Sequence, residues 1–178
     1  MKLYTPLALI ATMSFLNAYE SAFPKTSPET IEVKTIPASK VIISKAEGDY
    51  FERSNNLFSP LFQYIQSNDI AMTTPVEAEI NPGAMYFYIG GEAALRDLKS
   101  TETVTVKELP ERLVVSIGIK GNYSESNFES AKAQLLKWLE QQTDYAATGP
   151  ARAIYWNGPF TPGFLKNSEV HIPIEKVS

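Results

Sequence analysis

No cysteine occurs among the 178 residues, which excludes disulfides, cysteine ligation of a metal and a lipid-modified cysteine anchor. Histidine is present once, as His171, and one histidine cannot furnish a usual metal site. There is no run of Lys or Arg, and the net charge is -4 with a pI near 5.1. Nucleic acid is therefore not an expected partner, because neutralising phosphates takes a basic patch. An acidic surface also argues against anionic lipid. The sequence has no Gly-x-Ser-x-Gly elbow, no Walker loop and no His-Glu-x-x-His. These absences leave little ground for an enzyme.

The chain does carry an ordinary globular composition, 44% hydrophobic and 20% charged, enough for one domain with a sizeable core. Met1-Lys2 precedes a mostly apolar stretch from Leu3 to Leu16 and then Asn17-Ala18-Tyr19. This pattern predicts a signal peptide over residues 1–18, cut after Ala18. The stretch falls short of the roughly 20 residues of a membrane span, so no stable membrane insertion is expected after cleavage. A cysteine-free exported protein suits a periplasmic or secreted location. Residues 19–29, broken by Pro24 and Pro28, predict a flexible lead-in, followed by a single domain over 30–178.

The domain repeats itself. A shift of 73 residues aligns Glu29–Glu52 with Glu102–Glu125 without a gap and with 9 identities in 24 positions, among them Pro37 and Pro110, Gly48 and Gly121, and Tyr50 and Tyr123. The repeat units run over 29–90 and 102–175. Each reads as strand, strand, helix, strand, strand, which predicts an α+β fold with two helices against one antiparallel sheet, curved or barrel-like.

In the second unit Leu113, Val115, Ile117 and Ile119 alternate toward a core. Ser126 and Glu129 form a capping box that predicts a helix from Asn127 to about Gln142, with Phe128, Ala131, Leu135, Trp138 and Leu139 on its apolar face. In the first unit Pro60 is expected to break a continuous helix, leaving Pro60–Gln66 ordered. The segment Ile70–Ile80 alternates as a strand with one wet face, and Pro75 places it at an edge or a bulge. Glu77 and Glu79 would project about 7 Å apart from that wet face. That is within the range of paired glycosidase carboxylates, but solvated surface is the preferred reading.

Ile70-Ala71-Met72-Thr73-Thr74-Pro75-Val76 resembles the central signature of the SOUL haem-binding protein family, with Asp69 where the family usually has Lys. The ending Tyr155, Pro159-Phe160-Thr161-Pro162, Phe164 and Lys166-Asn167-Ser168-Glu169-Val170 resembles that family's ending as well. The resemblance covers roughly Thr30–Glu175. It implies a distorted antiparallel β-barrel with two helices and a hydrophobic cleft for haem or another tetrapyrrole. In the family that cleft is associated with the first helix and the loop before the last strand. Carried over, these are Leu57, Phe58, Leu61, Phe62 and Ile65, and Phe160, Phe164 and Lys166.

Haem needs apolar faces, cations for its carboxylates and, optionally, an iron ligand. Lys166 and Arg53 are the candidate cations. The iron ligand is unassigned: His171 alternates with Val170, Ile172 and Ile174 and is expected to face water, Met72 is read as packing, and Tyr64 and Tyr155 lack a partner nearby in sequence. The expected function is an exported, monomeric carrier, buffer or scavenger of tetrapyrrole, with another apolar small molecule or a protein partner as the alternative.

Overall fold

The computed structural model describes residues 20–158 and 160–177. The predicted signal peptide, 1–18, lies outside the described residues. Eleven strands and two helices follow in chain order: β1 Glu20–Ser21, β2 Ile31–Ile36, β3 Ser39–Lys45, α1 Tyr50–Ser67, β4 Thr73–Thr74, β5 Val76–Glu79, β6 Ala84–Tyr88, β7 Thr105–Leu109, β8 Arg112–Lys120, α2 Glu125–Leu139, β9 Tyr145–Ala147, β10 Arg152–Tyr155 and β11 Asn167–Lys176. The fold is α+β, with a curled antiparallel half-barrel sheet and two helices.

The main sheet runs β2-β8-β11-β10-β5-β6-β3-β7, and β9 pairs with the far end of β11. This order carries the duplication. The first strand of each unit pairs with the second strand of the other, β2 with β8 and β7 with β3. The registers coincide under the 73-residue shift: Glu32 opposes Ser116 as Thr105 opposes Ile43, and Ile36 opposes Arg112 as Leu109 opposes Ser39. At the centre, β5 and β10 pair antiparallel where the two units meet.

Gly48 and Gly121, equivalent in the repeat, have φ of +91° and +127°, a conformation in which glycine avoids the Cβ clash. Each turns the chain from a strand toward a helix. Asp49 caps α1 by accepting from the Phe51 amide at 2.8 Å, and Ser124 caps α2 by accepting from the Asn127 amide at 3.2 Å. Helix α2 therefore begins before the predicted Asn127, because Ser124 and not Ser126 supplies the cap. Helix α1 corrects the sequence expectation more deeply. It runs unbroken through Pro60. The carbonyl that loses its donor there belongs to the exposed Asn56, which water can satisfy, while Leu57, Leu61 and Ile65 hold the helix to the sheet.

Two cores lie on opposite faces of the sheet. Beneath the helices sit Leu57, Leu61, Ile65, Phe128 and Leu135 with Ala78, Val115, Ile117 and Ile172. The other face holds Phe23, Ile43, Tyr86, Tyr88, Ile154 and Trp156. There Arg112 of β8 donates to the Tyr88 hydroxyl of β6 at 3.0 Å, although four strand-to-strand steps separate them in the order. This second face is therefore the inside of the curl.

The segment expected to be a flexible lead-in crosses that inner face. Phe23 is 4% exposed, β1 pairs parallel with β4, and a bridge joins Pro28 to Gly118. A methyl group on Gly118 would run into the carbonyl oxygens of Thr26 and Ser27, so the crossing needs glycine at that position. The predicted strand over Ile70–Ile80 is split by Pro75 into β4, which serves this strap, and β5, which is central to the sheet.

Candidate functional site

The predicted site residues fall into two groups. On α1, Leu57, Leu61 and Ile65 are sealed against the sheet. Phe58 is half-buried, stacked on Phe62 with centroids 5.5 Å apart and edge-on to Phe87 at 5.5 Å. Phe62 is 39% exposed. In the loop between β10 and β11, Phe160 is 98% and Phe164 73% exposed. Lys166 closes that loop with its ammonium 4.8 Å from the centre of the Tyr123 ring. Arg53 is exposed in the first turn of α1, beside Gly48.

A column of tyrosines links the loop to the start of α1. Tyr50 stacks on Tyr155 at 5.8 Å, and Tyr155 lies 4.4 Å from Tyr123. The Tyr123 hydroxyl donates to the Asn167 carbonyl at 2.9 Å and accepts from the Asn157 amide at 2.8 Å. Burial pushes the Tyr123 phenol up to about 12 and raises Tyr50 and Tyr155 further. Phe51 meets Phe128 at 6.0 Å, so the first turns of both helices join here. At 1.5 Å per residue, Phe58 and Phe62 lie about 12 to 18 Å further along α1. The loop, Lys166 and Arg53 thus gather at the helix starts, with the Phe58–Phe62 pair at a distance from them.

The inner face overturns two sequence expectations. His171 is buried, not on the surface, at 1% exposed. Strand β11 is covered on both sides, so alternation separates two cores and not core from water. Glu77 is likewise completely buried where a wet face was expected. Its carboxylate accepts from Arg152 at 2.6 Å, from Arg112 at 2.5 Å and from the Tyr88 hydroxyl. Arg152 also pairs with Glu79 at 2.6 Å, to which Tyr86 donates at 2.7 Å. Burial works to raise the Glu77 carboxyl, but Arg112 and Arg152 outweigh it and hold it below the usual range.

Glu169 is the second buried carboxylate. It accepts from the Thr26 amide at 2.8 Å, Trp156 Nε1 at 2.7 Å, Lys34 at 2.6 Å, Ser116 at 2.9 Å and His171 Nε2 at 2.7 Å. Burial opposes its ionisation, but His171 and Lys34 prevail and bring it down to about 2. Burial lowers the His171 imidazole against the pull of Glu169, so the ring is neutral near pH 7. Sequence reasoning missed Phe23, Lys34, Arg112, Arg152 and Trp156. The signal available was the charge pattern: acids at alternate positions of β5, an acid two residues before the histidine on β11, and bases on β2, β8 and β10.

Fold and site together define a small curled half-barrel, with aromatic side chains bared at one end of its helical face and a salt-bridged inner face closed by its own strap. A family model described as SOUL heme-binding protein matches residues 17–173, nearly the whole chain. The protein belongs to the SOUL haem-binding family. No curated protein matches the chain. Among solved structures, the EcmrR C-terminal domain is similar with a TM-score of 0.67 at 19% identity, over 83% of this chain and 98% of that one. In a complex of EcmrR with DNA the match spans 58% of the EcmrR chain. A hydrolase from Listeria innocua gives 0.53 at 12% identity over 84% and 94%. SAV2435 bound to tetraphenylphosphonium gives 0.50 at 10% over 82% and 94%. Likeness at these identities is a likeness of fold.

Proposed function

We propose that the protein is an exported, monomeric binder of haem or a related tetrapyrrole, a carrier, buffer or scavenger and not an enzyme. Beyond the family, the observation that carries this reading is the bare aromatic surface of Phe160 and Phe164 beside Lys166, with Phe62 uncovered on α1. Exposed large apolar groups clustered beside a cation suit a flat apolar ring with carboxylates. Lys166 and Arg53 are the cations for those carboxylates, Phe160 and Phe164 cover one side of the ring, and Phe58 and Phe62 extend the apolar surface along α1.

The residues fit the ring and not an axial bond to its iron. His171 gives Nε2 to Glu169 on the inner face, and Met72 packs into the helix-side core. Burial raises the phenols of Tyr64 and Tyr155, so they stay neutral, and Tyr64 donates to the Lys99 carbonyl at 2.8 Å. Among the described residues no group of three His, Asp or Glu is placed to hold a metal. The ring is therefore held by apolar contact and by the two cations, with no bond to its iron from His171, Met72, Tyr64 or Tyr155.

Titrating the protein with haemin tests this. The expected result is a saturable Soret shift near one equivalent, weakened about ten-fold or more by Phe164→Asp or Phe62→Asp with unchanged circular dichroism. A response that never saturates would refute it. Export is tested separately by fractionation and by sequencing the mature amino terminus, expected at Tyr19, and the monomer by light scattering. No helix among the described residues is long and apolar enough to cross a membrane.

A further inference from the structure

Two polar atoms on the inner face are left unused. His171 Nδ1 has no hydrogen-bond partner among the described residues, and neither has Arg152 Nε. These residues oppose each other directly across β10 and β11, which places their Cβ atoms roughly 5 Å apart. His171 Nε2 faces an ionised carboxylate and so carries the hydrogen, which leaves Nδ1 a bare acceptor. Arg152 Nε is always a donor. A buried acceptor thus stands beside a buried donor, and leaving such groups unpaired is costly enough to be rare.

The ring that the strap lays against His171 cannot serve either atom. Phe23 packs edge-on to Tyr88 and to Trp156, both at 5.5 Å, and lies tilted against His171 at 5.8 Å. Lys34 holds its ammonium 5.4 Å from the ring centre. The strap that carries Phe23 is fastened on either side of that ring, by Ala22 N to Thr74 O at 2.8 Å before it and by Lys34 Nζ to Pro24 O at 3.0 Å, Thr26 N to Glu169 at 2.8 Å and Glu29 N to Gly118 O at 2.9 Å after it, while Phe23 itself is held by packing. Beside it lies a cavity of about 400 Å³ lined by Ser21, Ala22, Lys40, Thr73 and Tyr88. Tyr88 is common to the cavity and the aromatic box, so withdrawing Phe23 joins the two.

We propose that this inner face is a second ligand site, closed by Phe23, for a flat, uncharged heteroaromatic molecule bearing an N–H beside a C=O. The N–H donates to His171 Nδ1, the carbonyl accepts from Arg152 Nε, and the ring takes the place of Phe23 between Tyr88 and Trp156. Charge matching decides for a neutral ligand. Glu77 is answered by Arg112 and Arg152, and Glu169 by Lys34, so no carboxylate is left over for a cation. The site lies on the face opposite the helices, and it stands or falls independently of tetrapyrrole binding.

The test uses 2-quinolone, a flat lactam, and N-methyl-2-quinolone, which lacks the donor. His171 is the only histidine, so protein labelled with 15N-histidine reports one ring. Saturable movement of its Nδ1 resonance with 2-quinolone in the wild-type chain is expected. By calorimetry, 2-quinolone should bind Phe23→Ala at least ten-fold tighter than wild type and at least ten-fold tighter than its N-methyl analogue. An unmoved resonance, equal affinities for the two compounds, or no gain in Phe23→Ala would each overturn the proposal. Should Phe23→Ala fail to fold, the wild-type resonance decides alone. Haemin binding is read at the Soret band and does not pass through Nδ1, so the two readings fail separately.

Discussion

Glu169 shows how much one side chain can organise. Five donors converge on it, from β2, β8, β11, the strap and Trp156 just past β10, so its charge is stabilised by the assembled fold. Its folded value of about 2 lies below the ordinary 4.5. Stability from this group is therefore complete above about pH 4.5 and is lost as pH falls toward 2. His171 adds to the same trend from a higher pH, because burial lowers it from 6.5 and the unfolded chain takes up the proton first. Urea unfolding followed from pH 7 downward should show stability declining below pH 6.5 and more steeply below 4.5, and Glu169→Gln should make the lower limb shallower. Removing one guanidinium from Glu77 also has a cost: Arg112→Ala leaves the buried carboxylate to Arg152 and Tyr88 alone and should cost about 1–3 kcal/mol by denaturant titration. Val170, Ile172 and Ala78 are legible as core from alternation alone. His171 and Glu77 are not, because alternation says which residues share a face and not whether that face is wet.

At the scale of elements, the helices separate what sequence can and cannot show. The apolar face of α2 reads directly from Phe128, Ala131 and Leu135, all buried. Helix α1 defeats the local rule at Pro60 because tertiary packing of Leu57 and Leu61 outweighs one missing hydrogen bond. An interior proline costs a helix about 3 kcal/mol; Pro60→Ala should recover part of that and raise the melting temperature by several degrees in calorimetry. The strap is the other failure of local reading. Its two prolines and polar residues look like a linker, and only the distant Glu169, Trp156 and Tyr88 give Phe23 and Thr26 a place. Gly118→Ala should lift the strap without unfolding the sheet. Limited proteolysis is expected to cut within residues 20–28 several-fold faster in the variant, while its far-ultraviolet circular dichroism stays unchanged. The loop residues Phe160, Phe164 and Lys166 could be singled out only by resemblance, since an exposed aromatic loop has no periodicity to betray it.

At the scale of the molecule, the duplication is visible in nine identities, but the exchange of first strands is not, because sequence spacing carries no record of which unit a strand joins. That exchange sets the cooperativity of the fold. Residues 20–100 alone lack β8, the partner of β2, and residues 101–178 lack β3, the partner of β7. Each fragment should be largely unfolded by circular dichroism when isolated, and the two should regain the sheet when mixed at equal amounts. The same arrangement speaks to ancestry. Two separate copies of a half-length chain would complete the sheet as a two-fold dimer with swapped arms, and the stretch from Ile89 to Val104 is what a gene fusion would leave behind. Once the copies were covalently joined, high effective concentration replaced affinity. The two inner faces were then free to diverge: β6 brings Tyr86 and Tyr88 to that face, where β11 brings Glu169 and His171.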